Sequence, residues 1–380
     1  MEQGGNKLGL NTLAVHAGTF KDEVTGAVNT PIVTSTSYEY IGRENTYPRY
    51  LNTINHNAVA EKLIALENGE EGLITSSGMA AITSTLFAFL SKGDHVIFQN
   101  GIYGGTYYFI VSQFSKSGIE YSFTESSSPA EFEKLIKPNT KLIYLETPSN
   151  PLLTVTDIAA IAKIAKMHNL ISVIDNTFAT PVNQTPLSSG IDIVIHSGTK
   201  YLGGHSDLSS GAIISSKEII ERIRPIALNF GGNLNSQDLY LLERSLKTLA
   251  LRVRQQSENA LHIATKLEKI VGIRKVYYPG LTSFEGHEIA IRQMKGFGGM
   301  LSFELNEGIN VEIFLKKLKL IAPALSLGGV ESTICAPAAT SHIKMTLEER
   351  QKAGIKDNLL RLSVGIEDAE DILKDILQAL

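Results

Sequence analysis

The sequence predicts an α/β fold with a mostly parallel central sheet and a smaller α+β unit at its C-terminal end. Short β-branched runs, such as those at 95–98 and 171–175, alternate with segments in which apolar residues recur at helical spacing. The chain has 380 residues and 43% hydrophobic content. Because single hydrophobic cores stop growing near ~250–300 residues, we expect two folded units behind an N-terminal arm.

Composition disfavours nucleic-acid and membrane partners. The formal net charge of -4 favours neither nucleic acid nor an anionic membrane. The single cysteine, Cys335, excludes an intramolecular disulfide and fits a reducing compartment. The N-terminus lacks the pattern of a secretory signal, and no apolar run approaches the roughly 18 residues of a membrane span. We therefore expect a cytoplasmic protein. The histidines show no spacing typical of metal ligands, so no metal site is predicted.

Residues 1–55 are predicted to form an extended N-terminal arm. They are rich in Asn, Thr, Gly and Pro and show no sustained helical period. A long segment without a core of its own must lie on another surface, and a neighbouring subunit is one such surface. This pattern favours an oligomer.

Residues 56–251 are predicted to form an α/β domain around the central sheet. A helical pattern begins at Ala58, and Gly69 is expected to cap its C-terminal end. Strand-like and helix-like runs alternate after it. The predicted strands are 72–76, 95–98, 119–123, 142–146, 171–175, 191–196 and 211–215. Ligands of such sheets bind beyond the carboxyl ends of the strands, so the residues there are candidates for a binding site.

The ends of the first two predicted strands carry a candidate anion site and an aromatic ring. Gly78 and Met79 follow the first strand and open a helical run, where backbone N–H groups can approach a phosphate. A plain helix N-cap is the alternative. Tyr103, beside two glycines, follows the second strand, and an ordinary loop or core tyrosine is the alternative there.

Later strand ends carry an acid and a lysine. Asp175 ends a strand, where burial demands a cationic or hydrogen-bonding partner. Lys200 follows the next strand beside Ser197 and Thr199, although a solvated loop lysine is the alternative. A lysine, an acid, a ring and phosphate donors are what pyridoxal phosphate (PLP) requires. No G-x-G-x-x-G follows a strand, which disfavours a nicotinamide site.

Residues 252–380 are predicted to form the smaller α+β domain. It includes a strand-like run at 300–305 and an amphipathic last helix. Arg361 lies on a predicted strand, and a surface strand arginine is the alternative to a ligand-binding role. We expect the site at the interface of the two domains.

Several motifs, in this order, resemble those of the Cys/Met-metabolism family of PLP enzymes over nearly the whole chain. The motifs are SSGMAAI, ETPSNP, VIDNTFATP, HSGTKYLGGHSD, SLGGVES and LLRLSVGIED. The resemblance implies an aspartate-aminotransferase-like fold (PLP fold type I). It also implies a homotetramer made of tight dimers, in which the arm enters the neighbouring active site.

The resemblance also assigns roles to residues. Lys200 matches the lysine that binds the cofactor covalently and then moves protons as a base, and Tyr103 matches a stacking tyrosine that assists proton movement. Asp175 matches the partner of the pyridinium nitrogen. The matches to phosphate ligands are Gly78, Met79, Ser197 and Thr199 from the same subunit, with Tyr47 and Arg49 from the other subunit.

Substrate binding is assigned in the same way. Arg361 matches the arginine that binds the α-carboxylate of an amino-acid substrate, a bidentate task suited to guanidinium. Asn150 and Ser326 match supporting residues. Glu331 resembles the pattern of γ-lyases and γ-synthases, and Thr46 stands where several relatives that use cystathionine carry an acid.

The predicted activity is trans-sulfuration, with cystathionine γ-lyase as the first expectation. Cystathionine γ-synthase and O-acylhomoserine sulfhydrylase remain alternatives because they share these residues. Methionine γ-lyase is less favoured, since Gly105 stands where those enzymes resemble one another in carrying cysteine. Cystathionine β-lyase is also less favoured because Val330 replaces the aromatic residue found in several of them. A catalytically silent binding relative is the alternative that is not an enzyme.

Overall fold

The computed structural model describes residues 2–3, 6–340, 343 and 346–380. The strands that it contains are β1 (Glu2–Gln3), β2 (Asn6–Lys7), β3 (Glu71–Thr75), β4 (His95–Phe98), β5 (Glu120–Phe123), β6 (Thr140–Glu146), β7 (Ile171–Asp175), β8 (Ile193–Ser197), β9 (Gly211–Ser215), β10 (Ile273–Tyr277), β11 (Met300–Leu305), β12 (Ala322–Pro323), β13 (Thr333–Cys335) and β14 (Leu359–Ser363).

Helices account for most of the remaining regular structure. The α-helices are α1 (Leu10–His16), α2 (Ile54–Glu67), α3 (Gly78–Phe89), α4 (Gly104–Ser117), α5 (Pro129–Lys134), α6 (Ile158–Met167), α7 (Thr180–Asn183), α8 (Lys217–Phe230), α9 (Ser236–Leu246), α10 (Leu249–Leu267), α11 (His287–Gln293), α12 (Val311–Lys317), α13 (Leu347–Lys352) and α14 (Ala369–Ala379). Short 3-10 helices lie at Pro48–Tyr50, Pro186–Ser189 and Pro337–Ala339.

The larger sheet has the order β3-β9-β8-β7-β6-β4-β5. Its strands from β8 to β5 pair in parallel, whereas β9 is antiparallel to both β3 and β8. This arrangement confirms the predicted α/β class with a mostly parallel central sheet. The carboxyl ends of β6, β7 and β8 therefore lie side by side at one edge.

Helices cover both faces of this sheet, as β8 illustrates. Ile193 and Ile195 pack into a core that includes Ile82 of α3, whereas Val194 packs on the opposite face against a core that includes Ile158 of α6. Alternate side chains of a strand lie on opposite faces. The β-branched run 193–195, which has no polar position, is therefore typical of a strand buried on both sides.

The smaller sheet has the order β10-β11-β14-β13-β12. It is antiparallel except where β12 pairs with β13. Leu301, Leu362 and Ile376 of α14 share its core. Arg361 of β14 lies opposite Ser302 of β11 and Cys335 of β13. Within the described part of the chain, no helix is long and apolar enough to cross a bilayer.

The N-terminal region contains more helix than its sequence predicts. Helix α1 lies inside the predicted arm, and α2 begins at Ile54 rather than Ala58, after an N-cap in which Thr53 accepts a hydrogen bond from the backbone of His56. Lys62 of α2, fully buried, donates to the backbone oxygen of Val15 in α1 at 3.3 Å. A cation at a helix C-terminus is stabilising, so α1 depends on this tertiary contact rather than on a local periodic pattern.

The predicted cap of α2 at Gly69 is wrong by one residue. Asn68 takes the left-handed conformation, with φ 59° and ψ 38°, and its N–H bonds the carbonyl of Ile64. Asparagine tolerates that conformation. Gly69 is needed for another reason, because a Cβ there would meet the side chain of Ile214.

Candidate active site

A cavity of about 900 Å³ opens where the two sheets approach one another. Glu146, Asp175 and Ser197, the last residues of β6, β7 and β8, lie in its wall, and Arg361 of β14 lies there too. Crevices beyond the carboxyl ends of parallel strands are where such folds bind ligands. The cavity therefore lies at the place that the sequence pattern predicts.

Most of the predicted site residues lie around this cavity. Those in its wall are Gly78, Met79, Tyr103, Asn150, Asp175, Ser197, Thr199, Lys200, Ser326 and Arg361. Tyr47, Arg49 and Glu331 do not line it, and all three are exposed in the single chain. Apolar and hydroxyl side chains, including Val111, Leu325 and Thr340, line much of the rest.

The turn after β8 positions Lys200. Its backbone N–H bonds the Ser197 carbonyl at 3.2 Å, and its own carbonyl accepts from Gly204 at 2.7 Å. The Nζ atom donates to Ser326 Oγ at 2.7 Å. Burial, and then the charge of Arg361, lower the pKa of Lys200 to about 8. The amine is thus far more available as a nucleophile or base than that of an ordinary lysine.

We expect cofactor uptake by the cofactor-free protein to depend on pH through this amine. Only neutral Lys200 can attack an aldehyde, so the uptake rate should rise as pH passes through about 8 and level off above it. At pH 7 roughly a tenth of the amine would be neutral, compared with less than ~0.1% for an unperturbed lysine. Absorbance-monitored rebinding of PLP between pH 7 and 10 measures this. A midpoint near the ordinary lysine value of 10.5 would contradict it.

Asp175 is a buried acid with room for a cationic partner. It is 7% exposed, and its Oδ1 accepts the backbone N–H of Thr177 at 3.0 Å. Burial raises its pKa, and the hydrogen bonds from Thr177 oppose that effect. A cation placed at this carboxylate would hold it ionised. A pyridinium nitrogen is a cation of that kind.

The N-terminus of α3 packs closely against the C-terminal end of β8. Ser77 caps the helix by accepting from Ala80 N at 3.1 Å. A Cβ at Gly78 would lie 2.9 Å from Ser197 Cβ, so only glycine allows this approach. Thr199 is held nearby through its Oγ1, which accepts from Ser210 N at 3.1 Å. Backbone N–H groups of a helix start and adjacent hydroxyls are suitable donors for phosphate.

Tyr103 precedes α4, lies in the cavity wall and is 44% exposed. Its backbone N–H donates to Glu146 Oε2 at 2.7 Å. Gly105 leaves room for this ring position, because a Cβ there would meet Tyr103 Cε1 and the ring would have to shift. The ring is therefore placed by a backbone hydrogen bond and by a glycine, and it is free to stack on a planar ligand.

Arg361 of β14 is a buried cation in the cavity wall. Its Nη1 donates to Asn150 Oδ1 at 2.8 Å, and its Nη2 donates to the Ser326 carbonyl at 3.2 Å. Its Nε has no hydrogen-bond partner although it is buried. Buried polar groups are rarely left unpaired. A guanidinium with unused donors beside a cavity is suited to binding a carboxylate.

Ser326 connects the two sides of the site. Its hydroxyl accepts from Lys200 and its carbonyl accepts from Arg361. It adopts the left-handed conformation, with φ 73°, which is unusual for a residue with a side chain. Strained backbone of this kind is concentrated at functional sites.

Two further residues stabilise the loops of the site, although the sequence did not predict them as site residues. Glu146 accepts the backbone N–H groups of Tyr103 and Asn150. Arg252 of α10 is 5% exposed and donates to the carbonyl of Tyr201, the residue after Lys200, at 2.8 Å. Glu146 belongs to the ETPSNP motif, but the motif does not show that its carboxylate bonds the Tyr103 loop. Arg252 lies in no such motif, because its importance depends on a contact with a segment distant in sequence.

These residues fit the cofactor that the resemblance implies. Asp175 is a buried acid suited to a cation, Gly78 leaves backbone open at a helix start, and Tyr103 offers a ring. Lys200 supplies an amine whose pKa lies near neutrality. The donor set is thus that of a PLP site.

Comparison with known proteins identifies a family and several relatives. A family model described as Cys/Met metabolism PLP-dependent enzyme matches residues 11–380. The cystathionine gamma-lyase of Bacillus subtilis (strain 168) is 47% identical, over 97% of this chain and 98% of that protein. The cystathionine beta-lyase of Lactococcus lactis subsp. cremoris (strain MG1363) is 46% identical, over 98% of each. The structure of cystathionine gamma synthase from Xanthomonas oryzae pv. oryzae in complex with aminoacrylate and cysteine is 40% identical with a TM-score of 0.95, over 98% of each chain.

Proposed function

We propose, since this chain belongs to the Cys/Met metabolism family of PLP-dependent enzymes, that it eliminates the γ-substituent of a sulfur amino acid, with L-cystathionine as the first candidate substrate. PLP is the cofactor of this family and hence of this enzyme. The observation that carries the proposal is that Lys200 and Arg361 both bond Ser326 in the wall of one cavity. A proton-transferring amine and a carboxylate anchor thereby face the same substrate.

The cofactor and the residues around it have separate roles in the proposed reaction. PLP supplies an electron sink for the electrons left at Cα when its proton is removed. Lys200 removes that proton, and γ-elimination requires a second proton removal at Cβ before the γ-substituent can leave. Arg361 and Asn150 hold the substrate α-carboxylate. Asp175 keeps the cofactor ring nitrogen protonated, which maintains the electron sink.

Tyr103 is the proposed acid for the leaving group. Its ring lies in the cavity wall, and its backbone is fixed by Glu146. A thiolate leaving group departs more readily when a proton is delivered to its sulfur. Tyr103 is therefore assigned both the stacking role and this proton transfer.

The γ position is supported by residues rather than by overall similarity. Relatives named gamma-lyase and beta-lyase match at 47% and 46% identity, so identity does not separate the two reactions. Glu331 and Val330 follow the γ pattern of the family resemblance. Replacement of the γ-substituent, as in γ-synthases and sulfhydrylases, is the second candidate, because it would use the same Lys200, Tyr103 and Arg361.

Product analysis distinguishes these reactions. With L-cystathionine, γ-elimination should yield cysteine, 2-oxobutanoate and ammonia, whereas β-elimination yields homocysteine, pyruvate and ammonia. With an O-acylhomoserine and cysteine, γ-replacement yields cystathionine and the free acid. Chromatography of all products from purified enzyme is the measurement. Pyruvate as the only keto acid would contradict γ-elimination.

We further propose that the assembly is a homotetramer in which a second subunit completes each site. Tyr47 and Arg49 lie outside the cavity of their own chain, on an exposed segment that also carries Tyr40 and Ile41, 70% and 83% exposed. Exposed aromatic and aliphatic side chains are typical of a surface that another chain covers. The two residues are proposed to reach the cofactor phosphate of the neighbour. A monomer in analytical ultracentrifugation would contradict this.

A further inference from the structure

Glu146 is a buried carboxylate held between two loops of the site. It ends β6, is 4% exposed and lies in the cavity wall. Its Oε2 accepts the N–H of Tyr103 at 2.7 Å, and its Oε1 accepts the N–H of Asn150 at 3.2 Å. Its own carbonyl accepts from the side chain of buried Gln99 at 2.8 Å. Each oxygen of this carboxylate therefore accepts a backbone hydrogen bond, and these bonds hold the side chain in one position.

The two loops that it joins carry different tasks. Tyr103 leads into α4 and presents the aromatic ring. Asn150 accepts from Arg361 Nη1 through its side chain. A continuous series of hydrogen bonds thus runs from the Tyr103 backbone through Glu146 and Asn150 to the guanidinium of Arg361.

Several charged groups surround Glu146. Burial and the nearby carboxylate of Asp175 raise the pKa of Glu146, while the N–H groups of Tyr103 and Asn150 and the charge of Arg361 oppose this rise. A buried carboxylate is costly unless its partners compensate it. Its geometry requires two acceptors, because an N–H group faces each oxygen. A neutral amide of the same shape provides only one acceptor and sets a donor against the other N–H.

We propose that Glu146 is a positioning residue that sets the relative placement of the Tyr103 ring and the Arg361 carboxylate anchor. The inference rests on the proposed function, which gives Tyr103 and Arg361 their roles. Glu146 acts through those residues. It fixes the position of the ring that would stack on the cofactor relative to the guanidinium that would bind the substrate α-carboxylate. Small displacements of such groups reduce catalytic rates strongly.

The test is Glu146→Gln, which keeps the size of the side chain and removes one acceptor. Loss of a hydrogen bond to a charged group should weaken cofactor retention and raise KM for the amino acid by about 10-fold to 100-fold each. The circular dichroism band of the bound cofactor should also change, because the Tyr103 ring would shift. A merely structural role would leave that band unchanged in folded protein. The measurements are PLP dissociation by fluorescence, visible circular dichroism, and separate KM and kcat values.

A matched control is Glu304→Gln, which neutralises another buried carboxylate. Glu304 is fully buried and pairs with Lys356 at 2.9 Å, in the smaller sheet and outside the cavity wall. It should leave PLP affinity, the dichroism band and KM unchanged whatever its effect on thermal stability. Effects on PLP affinity equal to those of Glu146→Gln would overturn the inference.

A second variant keeps the proposal testable if Glu146→Gln does not fold. Glu146→Asp keeps the charge and both acceptor oxygens but shortens the side chain by one methylene, so it should not reach the N–H groups of Tyr103 and Asn150 together. PLP affinity should fall, KM should rise and the dichroism band should change, as expected for Glu146→Gln. Unchanged PLP affinity, KM and dichroism in folded Glu146→Asp would overturn the inference.

Failure of the inference and failure of the proposed function give different results. If the unmodified enzyme neither eliminates nor replaces a γ-substituent, the proposed function fails. If the unmodified enzyme is active and folded Glu146→Gln matches it in PLP affinity, dichroism and KM, only the role of Glu146 is overturned.

Discussion

A Lys200→Ala variant is expected to lose the visible absorbance of covalently held cofactor and to lose turnover by roughly 10⁴-fold. Lys200 is the amine whose pKa burial and Arg361 lower to about 8, and it donates to Ser326 from within the cavity wall. Alanine removes both the covalent attachment and the base. Absorbance spectra with added PLP, together with product formation, measure the two losses.

Ser326→Ala is the control for Lys200→Ala. It removes the hydroxyl that accepts from Lys200 at 2.7 Å but keeps the amine, so visible absorbance should remain while turnover falls by about 10-fold or less. Lys217, at the start of α8 and outside the cavity wall, provides a lysine whose change to alanine should affect neither property. An unchanged visible spectrum in Lys200→Ala would contradict the assignment of the cofactor lysine.

An Arg361→Met variant is expected to lose kcat/KM by roughly 10²–10³-fold, mostly through KM. Truncating one partner of a buried, hydrogen-bonded charge pair costs about 2–5 kcal/mol. In the proposed substrate complex that pair is buried Arg361 with the substrate α-carboxylate. Arg361→Lys keeps the charge and loses the bidentate geometry. It should therefore show a smaller rise of KM.

The pH dependence of cofactor uptake in Arg361→Met distinguishes the effect of the charge of Arg361 from the effect of its shape. Burial is the main cause of the lowered pKa of Lys200, and the positive charge of Arg361 adds to it. Removal of that charge should therefore raise the pKa part of the way back and move the pH profile of cofactor uptake to higher pH. Arg361→Lys should leave the profile in place. Arg274→Met, which removes a half-exposed arginine on β10, should change neither KM nor the profile. Similar KM values in Arg361→Met and the unmodified enzyme would contradict the anchor.

Much of the central fold could be predicted because its local signals agree with its tertiary environment. Strands β4, β7 and β9 have the predicted bounds, since each is a short β-branched run buried on both faces. Strand β8 begins two residues later than predicted. Asp192 precedes it and accepts the backbone N–H and hydroxyl of Ser172, which takes the chain out of the ladder there.

Local signals failed where a distant contact decides the outcome. Helix α1 has no predictive period, and it depends on the buried ammonium of Lys62. Asn68 caps α2, although the glycine one residue later is the stronger sequence signal for a cap. That glycine is needed because it packs closely on Ile214. Glu331, predicted from a motif to bind substrate, is exposed and does not line the cavity of its own chain. Its role stays a prediction.

The sequence by itself determined the α/β class, the strand ends that carry Asp175 and Lys200, and the family. These follow from local periodicity and contiguous motifs, which need no knowledge of distant contacts. Only the tertiary structure decided that Ser326 bonds both Lys200 and Arg361, and that Glu146 joins Tyr103 to Asn150. The bond from Lys200 to Ser326 joins segments far apart in the chain, and it forms only after the two sheets have come together. The position of Glu146 depends instead on the larger sheet, which brings the Tyr103 loop beside the end of β6.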